Sequence, residues 1–401
     1  MRSISTLSLI AVIFLSTFVA TPTAKTQLAF HPFQAYQPYN HVAPLLQSNP
    51  NNQNITHEHH ISLNIPSLSH QDILFFKDQP HHFYVYRQET KNHQSTCIIG
   101  ILDLETSAPE CIKTHENILT DKALELESFI AKQHAECNPI LLMYDNTTTV
   151  AQELDTFIEN FCTKNHPYQS FTTPDTTRHT IWRISDNLIN NYIRSLCTHF
   201  SSVYVADGHH RLAVAKNLHK KFPHHTPYNY VLAALASSSQ LELKAFHRII
   251  KNTTLSHEEI VDIIAQNFDI TPLTPTPQTP SLPHDFALFM HNTWYHLTLK
   301  RDSIKTLATM PLESLDSFII QKLIINPIQQ QSMVKIAYIG GINTYAELEK
   351  NCTHPSDIIL ALAPVPIKQF IDIVDEGFLM PPKSTWFEPK LPPGLVVYSL
   401  M

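Results

Sequence analysis

Six glycines in 401 residues, beside 28 prolines, limit what this chain can build more than any other feature. Phosphate loops of the P-loop and dinucleotide types use several closely spaced glycines, which let the backbone take left-handed angles and approach a phosphate. Neither GxGxxG nor GxxxxGK[ST] occurs. Any nucleotide site must therefore use another device. Of the six, Gly208 stands inside a run of chemically capable side chains, Asp207-Gly208-His209-His210-Arg211.

The surrounding residues predict a strand, a tight turn and a helix. Val203 to Ala206 is a short apolar strand, and Arg211 to Lys221 has helical spacing of Leu212, Ala215 and Leu218. A helix start offers unpartnered N–H groups and partial positive charge, which suits an anion. Arg211 can clamp a phosphate, and His209 and His210 can donate hydrogen bonds or move protons near neutral pH. Asp207 can accept a proton or hold Mg²⁺. The plainer alternative is a capped turn with exposed histidines.

Hydrophobic residues make up 43% of the chain and charged ones 16%, enough to build a sizeable core. The length fits two domains or one elaborated one. A net charge of −7, with no basic helix-turn-helix pattern, argues against a nucleic-acid partner. The six cysteines form no CxxC pair, so they read as scattered core thiols rather than a zinc site.

Short apolar strands are predicted at 83–88, 97–104, 139–145, 179–185 and 230–237, alternating with helices at 121–133, 150–161 and 187–199. The 121–133 helix is expected to bury Leu124, Phe129 and Ile130. A Pro/Thr-rich run at 271–283 divides the chain into an N-terminal part (27–270) and a smaller C-terminal α/β part (284–401). The fold class is α/β (α+β), a mixed sheet with flanking helices.

Several ordered segments carry a resemblance. PFQAYQPYN at 32–40, KTHENILTDK at 113–122, NPILLMY at 138–144, RHTIWRI at 178–184, DGHHR at 207–211, FHRII at 246–250 and MPPKSTWFEPKLPPGL at 380–395 resemble, in order, the motifs of the domain of unknown function 1015 family. That family is built on a ParB/sulfiredoxin-like core. Its relatives with DGHHR include free-serine kinases, which move a phosphoryl group from ADP or ATP to serine. The resemblance implies a nucleotide with Mg²⁺ and a small hydroxylated substrate. Sulfiredoxin chemistry is not implied, because histidines occupy the position of its cysteine.

Carried onto this sequence, the resemblance makes Glu116 the candidate base, beside Asp207, His209 and His210. Gly208, Arg211, Lys122, Arg178, His179, Arg248 and Lys383 become candidate nucleotide contacts, with Asp207 as the metal ligand. Two departures, Asn40 after the N-terminal Tyr and Glu125-Leu126 in place of an Asp-Arg pair, keep a non-catalytic nucleotide or anion sensor as the alternative. Oligomeric state is not legible in the sequence.

Arg2 precedes an apolar run at 7–20, which suits a signal-peptide core and is short for a membrane span. Residues 1–24 are therefore expected to direct export or anchoring, with membrane association through 7–20 alone; a cytoplasmic protein is the alternative. Residues 1–30 fused to an enzyme active only outside the cytoplasm should yield an active reporter. A soluble, inactive fusion retained inside the cell would rule this out.

Overall fold

The computed structural model describes residues 28–38, 75–79, 81–273, 280, 282–307, 310–341 and 343–401. The apolar run at 7–20, Asn40 and most of the Pro/Thr-rich run lie outside them. No helix among the described residues is long and apolar enough to cross a membrane.

Two sheets organise the chain. The first contains β1 (Phe30–His31), β2 (Phe83–Glu89), β3 (Gln94–Asp103), β4 (Ile112–Lys113), β5 (Ile140–Tyr144), β6 (Gln169–Thr172), β7 (Arg178–Ile184), β8 (Val203–Asp207) and β9 (Tyr230–Ser237). Their spatial order is β4-β8-β5-β9-β3-β2-β7-β6, with β1 also paired to β3. It is a mixed sheet: β4 and β8 run parallel, as do β5 and β9, and the other pairs are antiparallel.

Its central strands are apolar throughout because both faces are covered. In β5, Ile140, Leu142 and Tyr144 point into one core, and Leu141 and Met143 into the other. The first core is completed by helices α2 (Thr149–Lys164) and α3 (Asn187–Cys197). The second is covered by late chain, including Phe370, Ile373, Phe387, Leu395 and Val396.

The second sheet is antiparallel, with strands β10 (Phe246–Lys251), β11 (Phe268–Pro272), β12 (Asp285–Met290), β13 (Thr293–Leu299), β14 (Lys335–Gly340) and β15 (Ile358–Ala361) in the order β11-β13-β12-β15-β10-β14. The division between sheets therefore differs from the expected boundary at 271–283. Strand β10 precedes that run and β11 ends within its first two residues, yet both belong to the second sheet, while residues 365–396 return to cover the first. The reason is burial: these residues complete the core on the first sheet's second face, which Phe33, Ala35 and Leu315 also help to fill.

Helix α1 (Thr120–Gln133) packs against α4 (His209–Lys221). It does so through Ala123, Leu126 and Ile130, whereas Leu124, expected inside, is 57% exposed. The buried set is spaced i, i+3, i+7, a single helical stripe.

Gly100 in β3 marks where β1 crosses closest. A Cβ there would lie 2.7 Å from the His31 carbonyl oxygen and 2.8 Å from the Phe30 and Phe83 rings. Overpacking of this kind costs about 1–3 kcal/mol. Gly100→Ala should therefore lower stability by that amount in urea titrations; an unchanged midpoint would mean that β1 does not pack here.

Candidate functional site

Strands β4 and β8 pair in parallel, Val203 beside Ile112 and Tyr204 beside Lys113, so both leave the sheet at one edge. From β4 the chain continues into Thr114-His115-Glu116; from β8, into Asp207-Gly208-His209. Carboxyl ends of parallel strands are where α/β sheets place ligand sites. Glu116 and the DGHHR turn thus meet despite their separation in sequence: Glu116 Oε2 is 3.9 Å from His209 Nδ1.

The pairing of β8 with β5 shifts register between Val205 and Asp207, a bulge just before Asp207, which still pairs with Leu141 as the last residue of the strand. Gly208 then takes φ 92°, a left-handed angle that favours glycine, and starts α4 without a side chain to cap it. By helix geometry the first-turn N–H groups of α4 have no partner from the helix itself.

Asp207 Oδ2 accepts from Arg211 Nη2 at 2.7 Å, and Asp207 Oδ1 accepts from Lys390 Nζ at 2.7 Å. Burial alone would raise the Asp207 carboxyl, but Lys390 and Arg211 outweigh it and hold it well below the usual carboxylate range. Arg211 also donates to the Pro139 carbonyl at 3.3 Å. Its guanidinium fills the space a Cβ on Gly208 would occupy, 2.8 Å from that position.

This corrects two expectations. Arg211 is folded under the turn as its anchor instead of projecting as a phosphate clamp, because Asp207 and Pro139 bind it. Asp207 has both oxygens engaged. Among the described residues no three His, Cys, Asp or Glu side chains converge as metal ligands. Mg²⁺ needs several oxygens in near-octahedral geometry. The residues present do not fit a resident Mg²⁺, and Asp207 is better described as the clasp of the turn.

Behind the turn lies a chain of buried polar groups. His209 Nε2 is 3.2 Å from His115 Nδ1, and His115 Nε2 is 2.9 Å from Thr385 Oγ1. The two imidazoles meet edge to face with centroids 4.4 Å apart, and Phe370 closes on His115 from the side. Burial lowers both rings, His209 to about 4 and His115 well below its ordinary value, so both are neutral at pH 7. His210 Nε2 accepts from the Leu119 N–H at 3.1 Å, which ties the turn to the start of α1.

Burial pushes the Glu116 carboxyl up; Lys383 opposes this, Asp207 adds to it, and Lys390 and His210 oppose it. The exposed Lys383 and half-exposed Lys390 both come from the 380–395 segment. Lys383 Nζ lies 5.6 Å from the Phe246 ring centroid, and Lys390 Nζ 5.1 Å from that of Trp386. The edge thus joins a shielded carboxyl, two lysines and an uncapped helix start, an arrangement able to hold an anion and accept a proton.

Other expected residues fall elsewhere. Arg178 and His179 lie on β7, from which four strands separate β8. Arg178 is exposed near Glu89 and Ser170, while His179 is buried between Tyr86 Oη at 2.7 Å and Thr173 Oγ1 at 3.2 Å. They pack their own end of the sheet, because sheet order sends β7 to the far side. Lys122 is half-buried in the first turn of α1, and no hydrogen bond or ion pair joins it to Glu116, Asp207 or Arg211 among the described residues. An open cleft of about 690 Å³ lined by Pro311, Lys368, Asp372 and Glu376 contains none of the site residues.

His115 and Lys390 had gone unremarked in the sequence, although each lies inside a motif quoted above. Glu136 had no signal: its buried carboxylate accepts the Leu232 N–H at 2.6 Å, and burial pushes it to about 7 against the backbone bond and Arg211.

His209 and the buried His247 are each held near 4, chiefly by burial. Unfolded histidine takes up a proton from about pH 6.5 downward. The stability these neutral rings contribute is thus complete above about 6.5 and falls as the pH drops toward 4. His247→Gln should shrink the loss of stability between pH 7 and 5 by about 2 kcal/mol. An equal loss in mutant and parent, by urea midpoint, would mean His247 is charged in the fold.

Several solved structures are similar to this chain. A free serine kinase in complex with AMP matches at 10% identity and TM-score 0.39, covering 75% of this chain and 91% of that one. SbnI with a C-terminal truncation from Staphylococcus aureus matches at 14% identity and TM-score 0.40, covering 74% and 87%. A conserved hypothetical protein from Pyrococcus furiosus matches at 11% identity and TM-score 0.37, covering 75% and 94%. None of the curated proteins compared matches the chain. The family model described as "Protein of unknown function (DUF1015)" matches residues 45–318, more than half of the chain, and the protein belongs to that family.

Proposed function

We propose that the protein binds a nucleoside di- or triphosphate with its phosphates at the N-terminus of α4 and transfers a phosphoryl group to the hydroxyl of a small amino acid, serine being the nearest candidate. The observation that carries this reading is the placement of Glu116. Its carboxyl is 22% exposed, pushed up by burial, and stands under the charges of Lys383 and Lys390 beside the uncapped first turn of α4.

A base whose proton affinity is raised toward the working pH serves proton abstraction best. Glu116 takes the hydroxyl proton as the oxygen bonds to the terminal phosphorus and the phosphoanhydride bond breaks, leaving a nucleotide one phosphate shorter. Lys383, Lys390 and the helix start offset the phosphate charge, which is most of what a protein supplies in this chemistry. No step is assigned to a metal, since Asp207 is engaged.

A second reading, a nucleotide- or anion-binding module without turnover, is favoured by one observation. Arg211 and Lys390 are both tied to Asp207, which draws cationic charge away from a transition state.

Phosphoserine formed from serine with ADP or ATP, measured for Glu116→Gln against the parent, tests both. The first reading expects a loss of ~10²–10⁴ in rate with nucleotide affinity kept. Equal rates would remove Glu116 from the mechanism. Nucleotide binding without product from several hydroxylated amino acids would favour the second reading, and no nucleotide binding would sink both.

A further inference from the structure

Arg248 is the largest fully buried side chain in the structure, at 2% exposure. Although burial lowers it to about 10, it stays charged at neutral pH. No carboxylate pairs with it among the described residues. Its recorded partners are two backbone carbonyls, Phe246 beside it and Pro382 at 3.4 Å, and the face of Tyr338, 5.3 Å from ring centroid to guanidinium. His247, its neighbour, is neutral and already accepts the Leu362 N–H. A buried cation without a counter-charge is costly, and buried arginines are ordinarily matched by an anion.

The partner on the outer side is the weakest. A carbonyl at 3.4 Å is near the limit of a hydrogen bond, whereas a guanidinium–carboxylate contact is typically ~2.7–2.9 Å. That carbonyl belongs to Pro382, which is exposed, as is Lys383 after it. Arg248 thus lies under a thin turn whose next residue, Lys383, carries the largest of the charges acting on Glu116.

We propose that Arg248 and Lys383 form a second oxyanion subsite, which takes the carboxylate of the amino-acid acceptor in place of the Pro382 carbonyl. The assignment rests on the phosphotransfer reading for the word acceptor and on the unmatched arginine for the carboxylate. With phosphate at α4 and carboxylate at Arg248, the acceptor is anchored by its acid group and its hydroxyl is left toward Glu116. The same oxyanion chemistry would also take a nucleotide phosphate, so the two sources must be separated.

Calorimetry does this, titrating L-serine, ethanolamine (serine without its carboxylate) and ADP separately into the parent, Arg248→Gln and Lys383→Gln. The subsite predicts that L-serine weakens about tenfold or more in both variants. It also predicts that ADP changes by less than about twofold in Arg248→Gln and that ethanolamine binds all three proteins equally poorly. L-serine affinity unchanged in folded Arg248→Gln overturns the proposal, as does a parent that binds L-serine no better than ethanolamine. ADP weakening in step with L-serine assigns Arg248 to the nucleotide and also overturns it. Should Arg248→Gln fail to fold, Lys383→Gln, altered at an exposed side chain, decides alone. L-serine binding that depends on Arg248 in a protein that binds no ADP supports the subsite while removing the nucleotide reading.

Discussion

Asp207 is held by two cations, one a single helical turn on and one from far along the chain. Arg211, four residues on, comes from inside the helix that Asp207 introduces; Lys390 comes from 183 residues away. The first pair fixes how β8 passes into α4, since the guanidinium fills the space beside Gly208 and leaves only glycine room there. The second pins the 380–395 segment to the same turn. With that segment come Thr385 against His115, Lys383 under Glu116's field, and Trp386 against Phe246 and Gly340. The site edge therefore depends on a carboxylate whose own ionisation is secured by the groups it organises.

Neutral buried imidazoles set the character of this edge. His115 and His209 lie between Phe370 and Phe387 and the turn, where a charged ring would be costly. A neutral imidazole donates through one nitrogen and accepts through the other. The line Thr385–His115–His209 therefore has a direction: where His209 Nε2 accepts from His115, His209 Nδ1 carries the hydrogen toward Glu116, and where it donates, Nδ1 is a bare acceptor. Glu116 Oε2 stands 3.9 Å from that nitrogen.

The strand–turn–helix at 203–221 was legible because its signals are local: an apolar strand, a glycine at the turn and a helical stripe of Leu212, Ala215 and Leu218. The nearness of Glu116 was legible too, since strand ends in an α/β sheet gather at one edge. Sheet order was not. Nothing in RHTIWRI says that four strands separate it from DGHHR, so Arg178 and His179 were expected at a site they never reach. In α1, Leu124 misled because a helix in this setting buries what faces its neighbour, and α4 meets Ala123, Leu126 and Ile130. Glu136 was invisible because its partner is a backbone N–H from a strand nearly a hundred residues on.

The division of the chain was misread for a related reason. A Pro/Thr-rich run looks like a boundary, but much of the cover for the first sheet's second face comes from residues beyond that run. Phe387, Leu395 and Val396 enter the first sheet's core, while strand 386–388 pairs with 242–244 just ahead of β10. The same few residues that carry the lysines thus pack against both sheets. An edge built this way needs the 380–395 segment in place, because the first sheet leads into the helix start and that segment carries the cations that face it.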